Sequence, residues 1–92
     1  MNRDELVTAI SEMSGLPKSS VSKFLSALVE VVKNAVASGD KVTLVGFGTW
    51  YRSWREAREG RNPSTGEKMQ IKGRWGAKFK PGRDFSEKVN ES

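Results

Sequence analysis

The side chains whose type and spacing could do chemistry here are cationic. Arg52, Arg55, Arg58 and Arg61 recur at every third position, and Lys72, Arg74, Lys80 and Arg83 follow within one further stretch. Guanidinium and ammonium groups at this density bind anions through charge-assisted hydrogen bonds, phosphate and carboxylate being the usual partners. Catalysis would need other groups. There is no Cys and no His, which removes thiolate nucleophiles, imidazole bases, disulfides and the usual zinc ligands. The carboxylates are dispersed among basic residues or along helix surfaces, so no acid–base pair or metal set is expected. The reading is a non-enzymatic binding protein without cofactor, metal or small-molecule substrate.

The distribution of charge sharpens this. Residues 1–49 carry five basic and five acidic side chains, residues 50–83 carry ten and three, and residues 84–92 carry one and three. The whole excess of the +5 chain therefore lies in one segment, which points to a polyanion partner. A charged opening, Met1-Asn2-Arg3-Asp4-Glu5, lacks the pattern of a secretory signal, and no run is long enough to span a bilayer. A cytoplasmic protein with no membrane partner is expected.

Two helices must come first. Asn2 with Glu5 three residues on resembles a capping box; Leu6, Ile10 and Met13 form a stripe beside Val7 and Ala9, and Gly15 is a C-terminal stop. Pro17 or Ser19 opens a second helix, in which Val21, Phe24, Leu25, Leu28, Val29, Val32 and Val36 keep helical spacing. The opposite face, with Lys23, Glu30 and Lys33, has too few cations for a membrane-surface helix. One short helix cannot cover so wide a stripe, so a second subunit is expected over the rest. At 92 residues the isolated chain would also be marginally stable.

Ser38-Gly39-Asp40 ends the second helix, and Lys41 to Val45 alternates as a short strand. Gly46-Phe47-Gly48 predicts a tight turn that sends Phe47 into a core. A phosphate loop would need more glycines and a following helix. From Trp50 a strand is expected to run out to a turn at Asn62-Pro63-Ser64-Thr65-Gly66 and to return from Glu67 to about Phe79. The arginine spacing would also fit a helix, but the aromatic content and the glycines favour a hairpin. Setting Arg61 opposite Gly66 pairs Glu59 with Lys68 and places Trp54 opposite Gly73, diagonal to Trp75 and Ile71. One face then holds Trp54, Met69, Ile71 and Trp75, the other Arg55, Arg61, Lys72 and Arg74. The tryptophans are read as stiffening the ribbon and closing the core in preference to stacking on bases. Phe85 and Val89 suggest a closing helix over residues 83–89, with residues 90–92 frayed.

Gly39-Asp40-Lys41-Val42, Gly46-Phe47-Gly48, Gly60-Arg61-Asn62-Pro63, Thr65-Gly66-Glu67 and Phe79-Lys80-Pro81-Gly82 together resemble the HU and integration-host-factor group of bacterial DNA-bending proteins. The match covers nearly the whole chain. It implies a single α+β domain over residues 1–92: a helical dimerisation platform and first strand over 1–49, sheet and arm over 50–80, and a short helix and tail over 81–92. It implies an intertwined dimer, with itself or a paralogue, whose two β-ribbon arms enter the minor groove of double-stranded DNA. Pro63 at each tip would wedge between base pairs, and Arg55, Arg58, Arg61 and Asn62 would line the groove. Arg52, Lys72, Arg74, Lys80, Arg83 and Arg3 are further DNA-binding candidates. Leu25, Leu28, Val29, Val32, Leu44, Phe47, Trp50 and Phe79 correspond to the dimer core, with Trp50 where a phenylalanine is more usual. The return strand departs from the pattern: Lys72, and the run Gly73-Arg74-Trp75-Gly76-Ala77-Lys78, stand where relatives commonly place prolines.

The expected function is largely sequence-independent DNA binding and bending on the nucleoid. Minor-groove acceptors distinguish A·T from T·A poorly, so specificity should be low and bent, nicked or flexible DNA favoured. The alternatives are an RNA or single-strand binder stacking bases on Tyr51, Trp54 and Trp75, a sequence-selective bender, and an assembly scaffold with Trp75 and Met69 as a partner patch.

Overall fold

The computed structural model describes residues 1–91. In chain order these form α1 (Arg3–Ser14), α2 (Lys18–Ala37), β1 (Val42–Leu44), β2 (Gly48–Arg55), β3 (Arg58–Arg61), β4 (Lys68–Ile71), β5 (Arg74–Pro81) and α3 (Arg83–Asn90). The chain divides into two compact units, Met1–Asn34 and Ala35–Ser92.

In the first unit, both ends of α1 form as their residues dictate. The Asn2 side chain accepts the Glu5 N–H at 2.9 Å, and Gly15, at φ 76°, donates its N–H to the Ser11 carbonyl at 2.9 Å. The Pro17 carbonyl accepts the Val21 N–H at 3.1 Å and so opens α2. Arg3 ties the two helices together by donating to the Ser22 carbonyl at 3.1 Å and to the Ser26 hydroxyl at 2.7 Å. Val7 and Val21 are the buried hydrophobic residues, while Phe24 and Val29 remain 67% and 40% exposed on a single copy.

In the second unit, α2 ends in a Schellman arrangement. Gly39, at φ 99°, donates its N–H to Val36, and Asp40 donates to Ala35. A three-stranded antiparallel sheet follows in the order β1-β2-β5, and β3 pairs with β4 beyond it. Gly48 must be glycine: a Cβ there would lie 2.5 Å from the Phe79 ring and 2.6 Å from the Lys80 carbonyl oxygen. That close approach seats Phe47 in an aromatic cluster. Its ring stacks on Phe85 at 5.3 Å and meets the edge of Trp50 at 5.3 Å, and Trp50 lies 4.7 Å from Phe79. Within one chain the cluster is incompletely closed, leaving Phe47 43% and Phe79 38% exposed.

The ribbon departs from expectation in register and in continuity. Arg61 pairs with Lys68, Glu59 with Gln70 and Trp54 with Trp75, two residues away from the pairing that set Arg61 against Gly66. Gly66 is the cause. At φ 73° it belongs to the turn, and the loop closes instead through Asn62, which donates its N–H to the Glu67 carbonyl at 2.9 Å and accepts the Gly66 N–H at 2.7 Å. The Glu59–Lys68 pair is thereby replaced by Lys68 opposite Arg61. Because a slip of two preserves side-chain parity, Trp54 and Trp75 still share a face, as do Met69 and Ile71. The return strand is not continuous: residues 56–57 and 72–73 interrupt the ladder between the inner and outer strand pairs, so Lys72 lies in a joint rather than on the face with Arg55. The closing helix runs one residue past the expected end, with the Asn90 side chain donating to the Ser86 carbonyl and the Glu91 N–H to Glu87. Of the residues expected to fray, Ser92 lies outside the described set.

Candidate nucleic-acid interface

Strand pleating divides the three-stranded sheet chemically. Val42, Leu44, Gly48, Trp50, Arg52, Trp54, Trp75, Ala77, Phe79 and Pro81 alternate onto one face by their register, and Phe47 packs there. The opposite face carries Thr43, Thr49, Tyr51, Ser53, Arg55, Arg74, Gly76, Lys78 and Lys80. Four of these are cations, and neither β2 nor β5 contains a carboxylate. Arg55 lies directly across from Arg74, Tyr51 from Lys78 and Thr49 from Lys80. Like charges placed directly opposite one another are unfavourable in a ladder. An anion laid over this face would relieve that repulsion. Small side chains at Ser53 and Gly76 keep the middle of the face low.

Beyond the joint, β3 and β4 extend the charge outward. Arg58 pairs with Ile71, and Arg61 with Lys68. Gly60 makes room for Ile71, whose Cδ1 would meet a Cβ there at 2.7 Å. The ribbon ends in a loop held by short local bonds: the Asn62 side chain accepts the Ser64 N–H at 2.8 Å, and the Thr65 hydroxyl accepts the Glu67 N–H at 3.3 Å. Pro63 sits exposed at this tip and has no N–H to satisfy. Asn62, whose side chain carries the Asx turn, is committed to shaping the loop.

The other candidates separate by their partners. Arg55, Arg58, Arg61, Lys72, Arg74 and Lys80 make no side-chain hydrogen bond or ion pair with a described residue and are exposed. Arg3 is occupied by Ser22 and Ser26, Arg83 by Glu87 at 3.0 Å, and Arg52 by the Ala37 carbonyl at 3.2 Å and the ring of Trp75 at 3.9 Å. Arg52 also lies on the apolar face, away from Arg55. Lys78 was missed as a candidate, although it stands two residues before Lys80 and strand alternation puts both on one face. Among the described residues no group of His, Cys, Asp or Glu could hold a metal ion, and no helix is long and apolar enough to cross a membrane.

The family model described as bacterial DNA-binding protein matches residues 1–90. The chain belongs to this family. Among bacterial DNA-binding proteins it is 48% identical to DNA-binding protein HU of Nostoc over 89 residues, covering 97% of this chain and 95% of that one. With HU of Clostridium pasteurianum the identity is 46% over 91 residues, covering 99% and 100%. A cocrystal structure of Anabaena HU with DNA superposes with a TM-score of 0.95 at 47% identity, covering 100% of both chains. HU from Thermotoga maritima gives a TM-score of 0.68 at 29% identity, covering 97% of this chain and 98% of that one. The α+β architecture with ribbon arms is thus shared across full-length relatives of this family.

Proposed function

We propose that two copies of this chain form an intertwined dimer that binds double-stranded DNA and bends it, as a non-enzymatic architectural protein of the bacterial nucleoid. The observation that carries the reading is the chemical division of the sheet: one face apolar, the other bearing Arg55, Arg74, Lys78 and Lys80 and continuing into a cationic ribbon that ends at an exposed proline. The apolar face and the α2 stripe are left for the partner copy, which would cover Leu25, Leu28, Val29, Val32, Leu44, Phe47, Trp50 and Phe79. These side chains are half-buried or 38–43% exposed on one chain, so covering them adds only part of the roughly 1.5–3 kcal/mol that full burial of each contributes, and the sum over both copies favours the dimer. Residues 1–92 then act as one domain.

In the complex, phosphates lie against the basic sheet face and each arm follows the minor groove. Arg55, Arg58, Arg61, Arg74, Lys78 and Lys80 supply the phosphate contacts, with Lys72 at the joint and Arg83 at the body edge as outlying cations. Counterion release by about 6–10 contacts per dimer, drawn from the two copies of these residues, would dominate affinity and make it steeply salt-dependent. Pro63 inserts between base pairs; unstacking costs on the order of a few kcal/mol per step and is offset by the wrapped contacts. DNA that is already bent, nicked or flexible binds better because less deformation remains to be done.

A stacking platform for single strands is disfavoured by the same geometry. The Arg52 guanidinium lies over the Trp75 ring and Trp54 meets it at 68°, so Trp75, though 53% exposed, is partly occupied within the chain and is not an open platform. Competition of a nicked duplex against a single strand of equal length tests the choice. The nicked duplex is expected to win, and preferential binding of the single strand would overturn the proposal.

A further inference from the structure

A line of contacts runs along the apolar face from the end of α2 to the joint in the arm, and phosphate binding makes no use of it. The Schellman turn satisfies the carbonyls of Ala35 and Val36 but not that of Ala37. Arg52 fills this gap, donating from Nη1 to the Ala37 carbonyl at 3.2 Å. The guanidinium passes close to Gly39, where a Cβ would lie 3.1 Å from Nη2. Its Cζ then sits 3.9 Å from the centre of the Trp75 ring. Trp75 meets Trp54 edge to face at 5.2 Å, and Trp54 reaches the joint itself: a Cβ on Gly73 would lie 2.5 Å from Trp54 Cζ2. Four consecutive contacts therefore connect a helix terminus to the residues that interrupt the ladder.

The joint is where the ribbon is least determined. Residues 56–57 and 72–73 leave the ladder between Arg55–Arg74 and Arg58–Ile71 unpaired, so backbone bonding alone does not set the direction of the outer pair. Side chains that reach into the gap can. We propose that Arg52, Trp75 and Trp54 form an arm-root lock, in which Arg52 is a positioning residue that holds the tryptophan pair against the end of α2 and thereby fixes the direction in which the outer ribbon leaves the sheet. The consequence for DNA rests on the bending function proposed above; the consequence for the free protein does not. A flat guanidinium suits the role because it donates in its plane to the carbonyl while presenting its face to the indole.

The test compares Arg52→Gln, Trp75→Leu, the double variant and Trp75→Phe, all full-length, first without DNA. Amide hydrogen exchange is followed at residues 52–55 and 74–77. Loss of a cation–π contact of the usual strength accelerates local opening by about 2- to 30-fold. Both single variants should show this, the double variant should be no faster than the worse single, and Trp75→Phe should restore most of the protection. If Arg52→Gln fails to fold as a dimer, Trp75→Leu against Trp75→Phe carries the comparison. Energy transfer across an end-labelled nicked duplex then reports the bend, which should become more broadly distributed in Arg52→Gln while the slope of log K against log salt stays unchanged. Unchanged exchange together with a slope shallower by about 0.9 per subunit would overturn the lock and make Arg52 a phosphate contact. A wild-type protein that left the duplex straight, with the exchange differences intact, would instead refute the bending function and leave the lock standing.

Discussion

Replacing Pro63 by alanine should lower the bend far more than the affinity. Nothing that closes the tip loop depends on the proline ring: the bonds run from Asn62 to Glu67, from Gly66 to Asn62, from Ser64 to the Asn62 side chain and from Glu67 to Thr65. The loop should therefore persist in the variant. What is lost is two ring methylenes per tip, and each buried methylene contributes about 0.8 kcal/mol. The kinked state then loses roughly 1.6 kcal/mol at each tip, which lowers the kinked-to-stacked ratio there about 15-fold. The arm cations are untouched, so phosphate neutralisation and the salt slope should stay as they were. The assay is energy transfer between dyes on the two ends of a duplex, read at saturating protein, with binding titrated in parallel. An unchanged transfer efficiency in Pro63→Ala would refute the wedge.

Arg55→Gln removes one cation from each sheet face of a dimer, so the slope of log K against log salt should become shallower by about 1.8, as read by fluorescence anisotropy at several salt concentrations. Gly48→Ala should destabilise the protein by about 1–3 kcal/mol, because the new methyl meets the Phe79 ring at 2.5 Å and a backbone carbonyl at 2.6 Å; thermal unfolding followed by circular dichroism measures it. Asn2→Ala removes the acceptor of the Glu5 N–H and should cost about 1 kcal/mol in the same assay, with DNA affinity unchanged. The melting temperature of the unmodified protein should rise with protein concentration, as it does when folding and dimerisation are coupled; a concentration-independent melt would show that the exposed aromatic cluster needs no partner copy.

Much of this architecture is legible in the residues because local chemistry decides it. The Asn2 cap, the Gly15 and Gly39 stops, the α2 stripe and the Asn62–Gly66 turn each need only a few neighbouring side chains, and each forms where those side chains stand. The register of the ribbon is different. It depends on whether Gly66 closes the ladder or belongs to the turn, and only its positive φ assigns it to the turn. The interruption at residues 56–57 and 72–73 is less visible still, since Glu56, Ala57 and Lys72 break no strand rule. For the candidate interface, the concentration of charge in residues 50–83 located the segment and alternation put Arg55 and Arg74 on one face, but the grouping with Lys78 and Lys80 needed the observed pairing of β2 with β5. Charge alone did not separate Arg52 and Arg3 from the free cations. Their carbonyl and hydroxyl partners lie 15 to 23 residues away, a distance over which one sequence carries no pairing signal.

Deformation of DNA by this dimer is the core of its proposed function. The most direct measurement is a salt-titrated binding series on straight, nicked and cruciform DNA of matched length, with the mass of each complex recorded. Tighter binding to the nicked and cruciform forms at every salt concentration, by complexes that contain two copies of the chain, is the predicted result. Equal affinity for all three DNAs would contradict the bending mechanism, and complexes containing a single copy would contradict the dimer.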